Sequence, residues 1–173
     1  MLQLEMENIN NIINIILIMK NKYLDFYNNL VKLTRNKNLY KNFNKNDEFS
    51  DRLVFLLLHF AFFFKIFKKK ENTPILQEIY DYIFKQIELS IREIGYGDQS
   101  INKKMKDYLN LFHSIIDKVH FWDDLNSEEK NDVMDNYISK SSNNQFLVDY
   151  FEDYLIFLSK NSLKSYLKSV SNP

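Results

Sequence analysis

The chain has no cysteine, which removes disulfide frameworks, thiol nucleophiles and cysteine-ligated metal or iron–sulfur sites. It has two glycines, two prolines and a single alanine, Ala61. Sheets joined by tight turns need more glycine and proline than that, so the composition points to an all-α fold. Net charge is lacking too. Twenty-three basic residues balance 23 acidic ones, which argues against a protein built mainly to hold nucleic acid. The three histidines, His59, His113 and His120, have no carboxylates beside them at metal-ligand spacing. There is no Walker loop, no dinucleotide fingerprint and no Gly-x-Ser-x-Gly elbow. The residues therefore give no support to an enzyme, a metal site or a cofactor.

Aromatic residues are abundant, with 15 Phe and 11 Tyr. Asn, Lys and Ile stand where Ala, Gly and Arg are more usual, a bias that reads as the product of an A+T-rich genome. Both glycines fall in one stretch, Leu89 to Asp98, between two apolar-periodic segments. Gly95 is placed to end the first helix in the left-handed region. Gly97 is expected to let the backbone turn again, and Asp98 to cap the next helix. The stretch reads as a shaped corner.

Residues 1–22 carry Ile9, Ile12, Ile13, Ile15, Ile16, Leu17, Ile18 and Met19. The run is too short to span a bilayer, which takes about twenty residues. It lacks the basic start and cleavage site of a secretory signal, and the arginines of a mitochondrial presequence. Two readings remain, a docking helix and a peripheral membrane contact. Tyr23, Phe26, Tyr27, Leu30, Val31 and Leu33 then predict a core-facing helix over 22–35. Residues 36–48 read as a loop pinned by Leu39, Tyr40 and Phe43.

A helix over 51–68, capped by Ser50 or Asp51, is apolar on every side except at His59. Such a helix is either central and covered, or leaves one face partly open to an apolar partner. His59 reads as a satisfied core histidine that is also poised to titrate. Lys65 and Lys68 to Lys70 suit the helix C-terminus. Thr73-Pro74 starts the next helix, whose stripe runs Leu76, Ile79, Tyr80, Ile83, Ile87, Ile91, Ile94. Past the corner, Ile101, Met105, Tyr108, Phe112, Ile115 and Val119 form a narrow seam. Lys103 and Lys104 lie in that helix's first turns, against its dipole. Asn126 and Glu129 predict a capping box and a helix over 127–140. Ser141 to Asn144 reads as a turn, and a last helix runs from Phe146, either through Leu167 or broken near Asn161. No repeat and no long linker is visible. The reading is an irregular bundle of six or seven helices, with residues 1–22 as an extension and 23–170 as the domain.

Several of these residues resemble a known pattern. Tyr80-Asp81-Tyr82-Ile83-Phe84 is followed by Ile91-Arg92-Glu93-Ile94-Gly95-Tyr96-Gly97-Asp98, then by Lys103-Lys104-Met105-Lys106 and Phe112. Upstream stand Leu30-Val31, Arg35, Leu39-Tyr40, Arg52 and Leu58-His59. Over about residues 23–158 the chain resembles the ubiquinol–cytochrome c chaperone family, assembly factors of the cytochrome bc1 complex, in its bacterial form. Two departures stand out. His113-Ser114 replaces a Gly-Arg pair, and residues 1–20 have no counterpart. The resemblance implies an all-helical, non-catalytic chaperone whose client is cytochrome b or another respiratory membrane protein. It implies a bacterial cytoplasmic location, peripheral on the inner membrane, with the mitochondrial matrix side as the alternative. It also points to partner-binding residues His59, Asp81, Arg92, Glu93, Gly95, Gly97, Asp98 and Lys104. The competing function is a peripheral membrane or lipid-binding helical module.

Overall fold

The structure, a computed structural model, describes residues 22–41, 43, 48–138 and 144–171. Among these residues it contains seven α-helices: α1 (Leu24–Thr34), α2 (Phe49–Phe67), α3 (Thr73–Glu93), α4 (Asp98–His120), α5 (Ser127–Tyr137), α6 (Gln145–Ser159) and α7 (Leu163–Ser171). The expectation of a docking or membrane helix over 1–22 lies outside the described residues, apart from Lys22.

α2 is the centre. A helix turns about 100° per residue, so neighbouring positions face different directions. Phe60 stacks on Phe112 of α4 with ring centroids 5.0 Å apart, Phe62 stacks on Phe151 of α6 at 4.8 Å, and Phe63 meets Phe26 of α1 at 4.6 Å. Three helices on three sides explain why this segment is apolar all round. Leu53 and every residue from Phe55 to Phe63 are buried, so no face of its middle is open to a partner. α7 returns across α1, and its Tyr166 reaches Phe67 at 5.8 Å. α3 lies against α4, α5 against α6.

Local chemistry sets the ends. α2 starts at Phe49, earlier than expected. The cap is Glu48, whose N–H donates to the Asp51 carboxylate at 2.9 Å, so Asp51 serves from the third helical position. The residue before α3 is Asn72, which leaves Thr73 inside the first turn. The expected Asn126–Glu129 capping box is present, but α5 ends at Tyr137, with residues 139–140 and most of the 141–144 turn outside the described set. The last helix is broken at Asn161. Ser162 Oγ accepts from the Ser165 N–H at 3.2 Å and starts α7 as a separate element. Lys65 stands in the last turn of α2, as expected, and reaches further. Its ammonium crosses to the C-terminus of α4, donating to His120 O at 3.0 Å and pairing with Asp123 at 2.8 Å.

Candidate functional site

α3 buries Leu76, Ile79, Ile83, Ile87 and Ile91. On another face it carries a polar ridge at steps of three and four: Gln77, Asp81, Lys85, Glu88 and Arg92. The ridge is bonded in two runs, Gln77 to Asp81 and Lys85 through Glu88 and Arg92 to Asp98. Gln77 Nε2 donates to Asp81 Oδ1 at 2.9 Å, and Lys85 Nζ donates to Glu88 Oε2 at 3.0 Å. Arg92 Nε donates to Glu88 Oε1 at 3.0 Å, and Arg92 Nη1 donates to Asp98 Oδ1 at 2.7 Å. The Lys85 and Arg92 bonds hold the Glu88 carboxyl below its usual range, and Asp98 foremost, then Glu88, raises the Arg92 guanidinium.

The corner itself turns on one glycine. Gly95 has φ +98°, which a side chain rarely adopts, and its N–H donates to Arg92 O at 2.9 Å. Gly97 differs from expectation. Its φ of −71° and ψ of 158° are ordinary extended backbone, open to any residue. Asp98 also departs from its expected role. It makes no side-chain cap; it is the first residue of α4 and fastens Arg92 across the turn. Tyr96, between the glycines, lies under the Lys104 ammonium, which sits 4.4 Å from the ring centroid.

The predicted site residues thus divide. Arg92, Glu93, Gly95, Gly97, Asp98 and Lys104 come together at the α3–α4 corner. Asp81 shares the Arg92 face, eleven residues back, or about 16 Å along the helix. His59 is elsewhere and fully buried. Its Nδ1–H donates to Phe55 O at 2.6 Å, so Nε2 accepts from the Tyr150 hydroxyl at 2.8 Å. Burial lowers its pKa to about 4, and its ring packs among Tyr150, Phe151 and Tyr154 of α6. A residue so placed holds the core together and touches no partner. Tyr80 packs against His113 of α4, their bond at 3.3 Å, so His113 also helps to seat α3 on α4.

What the sequence reading missed at the corner is apolar. Leu89, Ile94 and Tyr96 are 39%, 51% and 43% exposed. Leu89 was legible, because it lies about 200° round the helix from Ile87 and so off the buried stripe. Ile94 was expected inward, but α3 has ended at Glu93 and the chain is already turning. Among the described residues no group of His, Asp or Glu is placed to hold a metal ion. Among the same residues, no helix is long and apolar enough to cross a membrane.

No curated protein sequence gives a significant match. Among solved structures, the crystal structure of the Cbp3 homolog from Brucella abortus is similar, with TM-score 0.71 and 22% identity over 92% of each chain, a likeness of fold. The model of the ubiquinol-cytochrome C chaperone family matches residues 41–119, a stretch holding α2, α3, the Gly95 corner and all of α4 but its last residue. Through that stretch the chain resembles the ubiquinol-cytochrome C chaperone family.

Proposed function

We propose that this protein is a non-catalytic assembly chaperone that binds newly made cytochrome b and holds it for assembly of the cytochrome bc1 complex. The observation that carries the reading is the corner: Leu89, Ile94 and Tyr96 are each exposed within eight residues of one another in the family-matched stretch. Arg92, Glu93 and Lys104 rim them. An apolar patch with a polar rim is the usual form of a protein-binding surface. A membrane protein waiting for its partners offers apolar segments flanked by charged ends, and this surface complements both parts. The chaperone unit is taken as residues 23–170, acting on the cytoplasmic side of a bacterial inner membrane. The balanced charge supports a protein client over nucleic acid.

The test is affinity capture of the tagged protein from its native cells under gentle solubilisation. Ile94→Asp, Arg92→Glu and Gly95→Val variants run alongside, each first checked for fold by circular dichroism. Cytochrome b should come down with the unmodified chain and be lost with the folded Ile94→Asp and Arg92→Glu variants. If no respiratory subunit is enriched, or if both surface variants capture it fully, the reading fails.

A further inference from the structure

A second feature lies away from the exposed corner patch, in the cleft where α6 and α7 meet α1. α6 turns one stripe toward it: Tyr150, Asp153, Tyr154 and Phe157, spaced at three and four. α7 adds Tyr166 and Val170, four apart, and α1 adds Leu33. They bound a hollow of about 440 Å³, within the roughly 300–1,000 Å³ of ordinary ligand pockets.

The rings are fixed from behind. The Tyr150 hydroxyl donates to His59 Nε2, and the Tyr154 ring lies 5.0 Å from that of His59. The Tyr166 hydroxyl accepts from Asn29 Nδ2 at 3.1 Å. Its ring stands at 73° to that of Phe157, with centroids 6.2 Å apart. Tyr154 and Tyr166 are buried and form the floor. Phe157, 52% exposed, and the half-buried Tyr150 are the rings that a ligand reaches. Asp153 stands between these two, about one helical turn from each, and is exposed. Among the described residues its carboxylate makes no hydrogen bond or ion pair. No lysine or arginine lines the hollow.

From this juxtaposition we infer that the α1–α6–α7 cleft binds a quaternary ammonium group, seated between Tyr150 and Phe157 with its charge against Asp153. The face of an aromatic ring is negative, so both rings and the carboxylate attract the same sign of charge. The wall then decides which cation. A primary ammonium is strongly hydrated and brings three N–H donors, while most of this wall is carbon from Leu33, Val170 and the rings. A quaternary ammonium has no N–H to satisfy and covers its charge with methyl groups, which suit that wall. Two sources carry this chemistry, a free choline-like amine and the headgroup of a choline phospholipid.

The test titrates the folded full chain with choline and with tetramethylammonium, by calorimetry and by proton NMR of the N-methyl groups. The neutral isostere 3,3-dimethylbutan-1-ol and methylammonium serve as controls. Phosphatidylcholine and phosphatidylglycerol vesicles separate the two sources by flotation. Choline should bind once per chain with its N-methyl signal moved upfield by the rings, and both controls should be weaker by about tenfold or more. Asp153→Asn and Phe157→Leu, both at exposed positions, should each weaken choline about tenfold once circular dichroism shows the fold intact. Ile156→Ser, at a neighbour just as exposed that does not line the hollow, should leave binding unchanged. Binding of free choline without flotation supports a soluble amine. Flotation on phosphatidylcholine that Asp153→Asn abolishes supports the lipid headgroup. The inference is overturned if neither choline nor phosphatidylcholine is bound, if the isostere binds as tightly as choline, or if Asp153→Asn binds undiminished. It is also overturned if the chain floats equally on both vesicles while free choline stays unbound.

Discussion

At His59 the fold has taken a titratable ring out of water and satisfied both its nitrogens. The unfolded chain binds a proton there below about pH 6.5, while the folded chain resists until about pH 4. Between those values the unfolded state holds more protons, so stability is complete above pH 6.5 and declines as pH falls toward 4. The size is of order 3 kcal/mol, a large share of a domain's stability. His59→Leu should therefore unfold at nearly the same urea concentration at pH 6.5 and pH 4.5, where the unmodified chain shifts markedly. At neutral pH the variant should be weaker by roughly 1–3 kcal/mol, because the Tyr150 hydroxyl loses its acceptor. A pH slope equal to that of the unmodified chain would assign the effect to other groups. The two glycines make a second residue-scale contrast. Neither has any atom near the place a Cβ would occupy, so only backbone conformation separates them. Gly95→Ser forces a side chain into φ +98° and should cost roughly 1–2 kcal/mol. Gly97→Ser keeps an ordinary φ and supplies the missing cap of α4, so it should be neutral or stabilising by up to about 1 kcal/mol. Paired urea titrations decide it.

Among the elements, those with a regular stripe were legible and those set by a single contact were not. α3 declared itself through Ile79, Ile83, Ile87 and Ile91, all buried as the spacing demands. α2 declared its burial by having no polar face. The end of α3 did not, because the isoleucine rhythm runs on to Ile94 while the Gly95 turn has already diverted the chain. The corner was visible as the place where both glycines gather. Its polar wiring was not, since Asp98 bonds back to Arg92 instead of forward to its own helix, and spacing alone does not give that direction. The same holds for the junction of α4, α5 and α6. Trp122 is fully buried, and its indole N–H donates to Glu152 of α6 at 3.1 Å. Lys130 of α5 donates to the same carboxylate oxygen at 2.7 Å. One acceptor thus ties three elements together. Glu152→Ala leaves the indole N–H buried without a partner, at a cost of roughly 1–3 kcal/mol. Trp122 is the sole tryptophan, so its emission reports the loss directly. We expect a lowered urea midpoint and a red-shifted folded-state emission, while an unmoved midpoint would mean that α5 and α6 hold together by apolar packing alone.

On the scale of the molecule, sequence likeness and structural likeness have different reach. The family match covers residues 41–119, whereas the fold likeness to the Brucella protein extends over 92% of the chain. The physical reason lies in α2. Its Phe60 finds its stacking partner, Phe112, inside the matched stretch, but Phe62 leans on Trp122 and Phe151, Phe63 on Phe26, and Phe67 on Tyr166, all outside it. A helix that is apolar on every side needs cover on every side, and α1, α6 and α7 supply what α4 cannot. These outer helices need only be apolar and of the right size to do so, which leaves their residue identities free to change while their positions persist. Removing them exposes Phe62, Phe63 and Phe67 together. At about 1.5–3 kcal/mol for each buried side chain, that is roughly 5–9 kcal/mol, comparable to the whole stability of a small domain. A fragment of residues 41–119 should therefore keep some helix by circular dichroism but bind anilinonaphthalene sulfonate and lose its signal without a cooperative urea transition. Residues 22–171 should unfold in one sigmoidal step. A cooperative transition in the short fragment would show that α2 finds its cover within α3 and α4, and that the outer helices serve the client instead of the core.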